Sequence, residues 1–398
     1  MSHLRLLVAP GPFKECLSAE EVADCIEKGI RKATSEVSIR KVPMSDGGTG
    51  FVKRIIEHFG GQIVSCRVRD PIGNPIDSFY GLIIKDGVKV GVIESAAAAG
   101  LSLVPREMRN PLITSTYGVG ELVKSALDKG CSELIIGCGD TATNDGGLGL
   151  AKALGVRFLD SHGQEIPDGG AGLINLKRID ISGLDSRIST TKITVACNLS
   201  SILCGDQGVS YVYAPQKGAT PEAVKILADA LENYANVIKE ITGKDVRYIP
   251  GGGGGGGLAT ALYAFMNAEL RFSLHVVTSF LDLESYIREA DIVITGEGRI
   301  DGTTASGKIT YAVALTAKKF NLPVLAITGS ITNDAKILYY SGIDYIAPIC
   351  SGPIDLEQSI SNARELIEQT SFRIMRILEI GRNCTQREDL PKCRPESQ

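Results

Sequence analysis

The 398-residue sequence predicts an α/β protein of two domains, one of them a parallel sheet assembled from both ends of the chain. Three observations carry that reading. The length exceeds what one ordinary core organises. The last third alternates strand and helix patterns without a break, as a parallel sheet covered by helices requires. Between about 62 and 94, β-branched segments alternate with tight turns and read as a meander, a texture foreign to that βα series.

In chain order, 4–9 is an apolar strand that ends at Pro10-Gly-Pro12. Ser18 and Glu21 have capping-box spacing ahead of a helix with Val22, Ala23, Ile26 and Ile30 on one face. Lys14 stands between that strand end and helix start, where anions bind. A second strand at 37–42 opens into Pro43-Met-Ser-Asp-Gly-Gly-Thr-Gly50 and a helix carrying Val52, Ile55, Ile56 and Phe59. The meander follows at 63–68, 79–84 and 89–93, with a domain boundary near 70. A small-residue run at 95–100 and a helix from 115, closed by Gly130 as its C-cap, lead into 134–150.

The 134–150 stretch reads as a buried strand, a turn of glycines, hydroxyls and carboxylates, and a short helix. Thr141, Thr143, Asn144 and Asp145 are more donors and acceptors than a surface turn uses. Asp46 and Asp145 each precede a Gly-Gly pair at a strand-to-helix junction, and paired carboxylates suit metal-assisted phosphate chemistry. A strand at 193–198 ends in Asn198, and Thr220 with Pro221 starts the long helix after it. Gly251 to Gly257 are seven consecutive glycines before a helix at 258–268, read as a phosphate cradle rather than a linker. Strands at 291–295, 323–328 and 345–349 and helices at 307–320, 334–341 and 356–378 close the chain, and 4–9 with 37–42 bring the parallel sheet to five strands. Glu297, Arg299, Asp301 and Lys308 fall beyond the carboxyl end of the 291–295 strand, the usual ligand crevice of open α/β sheets.

Composition narrows the function. Lys plus Arg number 42 against 46 Asp plus Glu, so no global field favours nucleic acid or an anionic membrane. Ten cysteines without paired spacing and four histidines suggest neither a disulfide framework nor a zinc site. No apolar stretch approaches the roughly 20 residues of a membrane helix, and the N-terminus lacks a signal-peptide pattern. A cytoplasmic location is expected.

In order along the chain, Phe13-Lys-Glu-Cys-Leu-Ser-Ala19, Pro43-Met-Ser-Asp-Gly-Gly48, Thr143-Asn-Asp-Gly-Gly147, Pro215-Gln-Lys-Gly-Ala219 and Gly296-Glu-Gly-Arg-Ile-Asp301 resemble the motifs of class I glycerate kinases, a likeness running from about 4 to 380. The resemblance implies a flavodoxin-like domain from 1–70 and 287–381, an inserted α/β domain at 71–286 and a polar tail at 382–398. It also implies ATP-dependent phosphorylation of glycerate with Mg²⁺. Phosphoryl transfer needs charge neutralisation, a phosphate cradle and a group that orients the attacking hydroxyl. The residues assigned to these tasks are Asp46, Asp145, Lys14 and Asn198 for catalysis, with Asp46 and Asp145 also as metal ligands. Arg299, Glu297, Asp301, Lys308, Thr141 and Asn144 are assigned to substrate. Gly47, Gly48, Gly146, Gly147, Lys217, Gly253, Gly254 and Gly255 are assigned to the nucleotide. The expected partners are small molecules only, with room for a homodimer.

The chain departs from the family pattern at four places, one of them the glycine run, which usually includes alanines. Gly139-Asp-Thr141 stands where Gly-Gly-Ser is usual, Thr49 where a Glu is usual, and Asn198 with Ser201-Ile202 where an Asp and an Asn-Pro pair are usual. An amide orients a ligand but is neither a carboxylate base nor a charged metal ligand. Asp140 is a new carboxylate that could compensate. These changes keep two alternatives beside the leading one: a kinase for another small hydroxy acid, and a catalytically silent ligand-binding homologue. The 143–147 turn, the Asp46 turn, Asn198, the glycine run and the 296–308 segment are expected to be walls of one cleft.

Overall fold

The computed structural model of the chain describes residues 3–13, 16–45, 47–273, 276–278, 282–306, 308–350 and 352–388. Its strands are β1 (Leu4–Val8), β2 (Val37–Lys41), β3 (Gln62–Arg69), β4 (Pro75–Lys85), β5 (Val88–Glu94), β6 (Glu133–Gly137), β7 (Arg157–Leu159), β8 (Arg178–Asp180), β9 (Lys192–Cys197), β10 (Glu269–Phe272), β11 (Ile292–Ile300), β12 (Val324–Ile331) and β13 (Tyr345–Pro348). Contacts divide the chain into two units, Met1–Met44 with Leu283–Gln398, and Ser45–Asp282.

The chain-end unit holds five strands in the order β13-β12-β11-β1-β2, all parallel, with Leu6 opposite Ile292 and Leu4 opposite Val37. Renumbered within the unit, that is the 2-1-3-4-5 order of flavodoxin-like sheets. Helix Ala19–Ala33 starts with the expected capping box: the Glu21 amide donates to Ser18 Oγ at 3.3 Å and the Ser18 amide to Glu21 Oε2 at 2.8 Å. Its apolar face, with Val22, Ile26 and Ile30, joins Leu6, Val8, Ile294 and Ile327 in one core. Against it packs helix Ala363–Glu388. A Cβ on Gly29 would stand 2.2 Å from the Glu368 carbonyl oxygen, so only glycine permits this crossing.

The inserted unit is a six-stranded mixed sheet, β10-β9-β6-β5-β4-β3. β3, β4 and β5 form the antiparallel meander, and β5, β6, β9 and β10 run parallel. The short β7–β8 ribbon and β10 carry no strong sequence pattern and were not anticipated. Tyr80, Phe158 and Tyr234 are among the large side chains of this unit's core.

Four boundaries differ from the expectation. The first divide falls at 44/45 rather than 70, because β3 is laddered to β4, Val64 opposite Tyr80, and cannot leave its sheet. The second falls at 282/283 rather than 287, and Tyr286 lies 4.3 Å under the Arg40 guanidinium of the chain-end unit. β11 continues through Ile300 instead of ending at 295, since Arg299 and Ile300 still pair with Ser330 and Ile331. Helix Ala363–Glu388 runs past Gly381, which costs a helix about 1 kcal/mol but does not stop it; the first seven residues of the tail assigned to 382–398 are therefore helical. No helix among the described residues is long and apolar enough to cross a membrane.

Candidate active site

In the inserted unit the 138–147 turn leaves the carboxyl end of β6 and lies against the glycine run. The Gly146 amide donates to the Gly256 carbonyl at 3.0 Å, and Thr143 Oγ1 donates to the Gly255 carbonyl at 3.4 Å. The run is a packed turn and not a linker. A Cβ on Gly256 would sit 2.0 Å from the Thr143 carbonyl oxygen, and Gly256 itself has φ 74°. Six of its seven amides, those of Gly251, Gly252, Gly253, Gly254, Gly256 and Gly257, donate to backbone carbonyls. The amides of Gly146 and Gly147 are likewise engaged, the latter with Asp145 Oδ1 at 3.0 Å. The expected cradle of free amides is thereby corrected for Gly146, Gly147, Gly253 and Gly254: close packing is what demands glycine there. Gly255 is the exception, half-buried and, among the described residues, without a backbone acceptor for its amide.

Asp145 is completely buried. Besides Gly147, it accepts from the Thr116 amide and hydroxyl, both at 2.9 Å, and from the Gly149 amide at 3.2 Å. Burial pushes its carboxyl up, and these bonds oppose the shift. Four donors hold it, three on Oδ2 and one on Oδ1, and they join the 145–149 turn to Thr116, where a base or metal ligand was expected. Lys217 faces inward in the same way, donating to the Thr143 carbonyl at 2.6 Å and Thr141 Oγ1 at 3.2 Å. Burial pulls its ammonium down to about 8, with Asp145 opposing. It holds the turn, where a nucleotide role was expected of it. Asn144 donates to Ser210 Oγ at 3.0 Å, and its Oδ1 is buried without a partner among the described residues. Asn198 Oδ1 accepts from the Ser200 amide and hydroxyl in a local turn.

Sequence reasoning missed Glu94. It is the last residue of β5, 3% exposed, and its Oε2 accepts the Val52 amide at 3.0 Å. The helix it meets, Phe51–Phe59, has Gly50 at its N-cap and no capping side chain of its own. That deficit, with a carboxylate ending an apolar strand at the ligand edge of a parallel pair, was the available signal. Burial raises the Glu94 carboxyl to about 7; the Val52, Gly50 and Phe51 amides oppose this and nearby Asp140 adds to it.

In the chain-end unit, β11 brings Glu297, Arg299 and Asp301 together with Lys308. Arg299 Nε lies 3.3 Å from Asp301 Oδ2, and Lys308 Nζ lies 3.3 Å from Asp301 Oδ1 and 3.8 Å from Glu297 Oε2. Glu297 and Arg299 are ladder residues of the strand, not loop residues beyond it. The Arg299 side chain is 66% exposed. Glu297 Oε1 is buried without a hydrogen-bond partner among the described residues, and burial lifts this carboxyl to about 7 against the pull of Lys308. Lys14 and Asp46 lie outside the described residues. Gly47 and Gly48 form the turn that Gly139 touches, the Gly139 amide donating to the Gly47 carbonyl at 3.2 Å. Among the described residues no three His, Cys, Asp or Glu side chains group as a metal site.

Comparison with known proteins follows the same line. A family model described as the glycerate kinase family matches residues 6–379. Glycerate kinase of Bacillus subtilis (strain 168) is 42% identical over 379 residues, covering 95% of this chain and 99% of the relative. Glycerate 2-kinase of Escherichia coli (strain K12) is 42% identical over 378 residues, covering 95% and 99%. A crystal structure from Salmonella typhimurium LT2, provisionally assigned as glycerate kinase 2, shares 43% identity and a TM-score of 0.75, covering 96% of this chain and 100% of that one.

Proposed function

The chain belongs to the glycerate kinase family, and we propose on that footing that it transfers the γ-phosphoryl group of ATP to the 2-hydroxyl of glycerate. ATP-dependent phosphorylation of glycerate is the activity of this enzyme; the 2-position rests on the Escherichia coli relative, named a glycerate 2-kinase. The carrying observation is the near full-length likeness, residues 6–379, to proteins with this one activity.

Phosphoryl transfer asks a protein mainly for positioning and charge. Arg299, exposed and planar, suits the glycerate carboxylate in a bidentate pair. Lys308 supplies positive charge for the transferred group. Glu297, with its unpartnered oxygen and a carboxyl near 7, suits the proton leaving the substrate hydroxyl. Within the inserted unit, the Gly255 amide alone of its run has no backbone acceptor among the described residues. No group of three carboxylates, histidines or cysteines among the described residues makes a resident metal site, and Asp145 is held by four donors while Asp301 and Glu297 face cations. Mg²⁺ is therefore taken as part of the nucleotide substrate, which needs at most one or two protein carboxylates. Eight free cysteines among the described residues support a reducing compartment such as the cytoplasm.

The departures at 140, 141 and 198 give little support to another hydroxy acid or to a silent homologue. Asp140 accepts the Thr49 amide, Thr141 accepts Lys217, and Asn198 closes its own turn. The test is phosphorus NMR of the product from ATP, Mg²⁺ and glycerate. 2-Phosphoglycerate is expected; 3-phosphoglycerate alone would overturn the position, and no turnover would overturn the activity.

A further inference from the structure

We propose that Asp140 and Glu94 are positioning residues for the phosphoryl transfer, clamping the 47–52 segment onto the ends of two neighbouring parallel strands. The inference rests on the kinase reading above and replaces the idea that Asp140 compensates as a base.

The geometry supports it from three sides. β5 and β6 are neighbours, with Glu94 opposite Gly137, so Glu94 and the turn that carries Asp140 leave adjacent strand ends. Three hydrogen bonds run from these ends to one short segment. The Gly139 amide donates to the Gly47 carbonyl at 3.2 Å, the Thr49 amide to Asp140 Oδ2 at 3.1 Å, and the Val52 amide to Glu94 Oε2 at 3.0 Å. The backbones also touch: a Cβ on Gly137 would be 2.2 Å from the Gly47 carbonyl oxygen, and one on Gly139 would be 2.6 Å from Gly48 Cα.

Asp140 adds a further sign. Its φ is 55°, a left-handed conformation that glycine adopts without cost and other residues resist. A side chain at such a position needs a return, and here the carboxylate supplies one by holding the Thr49 amide. Glu94 in turn occupies the N-terminus of helix Phe51–Phe59 and accepts the Val52 amide, where a helix end would otherwise draw an external anion. The segment is thus a support sealed by the protein's own carboxylates. In sequence it directly follows Asp46, the first half of the paired Asp-Gly-Gly motif.

The experiment compares D140N, D140A, E94Q and E94A with the wild type as full chains. Asn and Gln keep an acceptor for the same amide and remove the charge; Asn also tolerates the left-handed backbone. D140A and E94A should lower kcat by about 10- to 100-fold, the scale of a misplacement of about 1 Å, while KM for ATP and glycerate changes little. D140N and E94Q should stay near the wild type. D140N as inactive as D140A would mean that the charge enters the chemistry, and would overturn the proposal. So would D140A and E94A keeping kcat within about twofold, or losing activity only in proportion to unfolded protein in a thermal melt. Hydrogen exchange at the amides of Thr49 and Val52 separates the clamp from the kinase assignment. Faster exchange in D140A and E94A supports the clamp whatever the wild type turns over, and unchanged exchange removes it.

Discussion

Two buried carboxyls, Glu94 and Glu297, are both raised to about 7, and they differ in what surrounds them. Glu94 meets backbone amides of a helix end, whereas Glu297 has Oε1 without a hydrogen-bond partner among the described residues and Oε2 3.8 Å from Lys308 Nζ. A base must be ionised, so kcat/KM should rise with pH through about 7. The E297Q variant should lose that limb and most of its turnover; an unchanged pH profile would remove Glu297 as base. For Glu94 the consequence is in stability. The folded chain keeps the proton up to about 7, while the unfolded chain releases it near the ordinary 4.5. Between those values the folded state binds more protons, so this group's contribution to stability falls as pH rises through that window. E94Q lacks the titration. Its melting temperature, measured beside the wild type at pH values below 4.5 and above 7, should therefore gain on the wild type as pH rises; a constant difference would mean the carboxyl is not raised. The sequence shows neither role, because Glu94 looks like the polar end of an apolar strand. Its partner amide is 42 positions away.

At the scale of elements, the glycine run shows how one composition supports two opposite readings. Seven glycines read as loose chain or as free amides, yet the run is a tight turn whose amides mostly serve its own neighbours. Two glycines with similar backbones separate packing from conformation. Gly256 has φ 74° and no room for a Cβ, while Gly243 has φ 71° and open space around it. G243A should cost about 1–2 kcal/mol from its left-handed backbone alone. G256A should cost clearly more, because its methyl would drive the run away from the 143–147 turn. Urea denaturation of both variants checks this, and equal losses would mean that the two turns are not in packed contact. Elements whose cause is local were legible: the Ser18 capping box, the Thr220–Pro221 helix start and the meander all stand where their spacing put them. The lengthened β11 was not, because its last residues are held by Ser330 and Ile331 and not by any apolar pattern of their own.

For the whole molecule, the inserted unit carries a core and sheet of its own, whereas β1 of the chain-end unit lies between β2 and β11. A fragment spanning 45–282 should therefore melt cooperatively by circular dichroism. A fragment of 283–398 should not, since it lacks two of its five strands, one of them interior. A fragment cut at 71–286, the boundary suggested by the change in texture, should be less stable than 45–282 because it removes β3 from its ladder. Comparable melting of the two would argue against the earlier boundary.

By itself the sequence determined the α/β class, the five-stranded sheet shared by both chain ends, the family and its reaction, and the grouping of Glu297, Arg299, Asp301 and Lys308. These depend on periodicity, on ordered motifs and on residues adjacent in one strand, all of which are written along the chain. Only the tertiary structure decided which polar residues are used up inside the protein. Asp145, Lys217 and most of the glycine amides look available in sequence and are bound in the fold, while Glu94 looks incidental and caps a helix. The physical reason is that a buried polar group must find a partner wherever the chain brings one, and for these residues the partners come from distant elements.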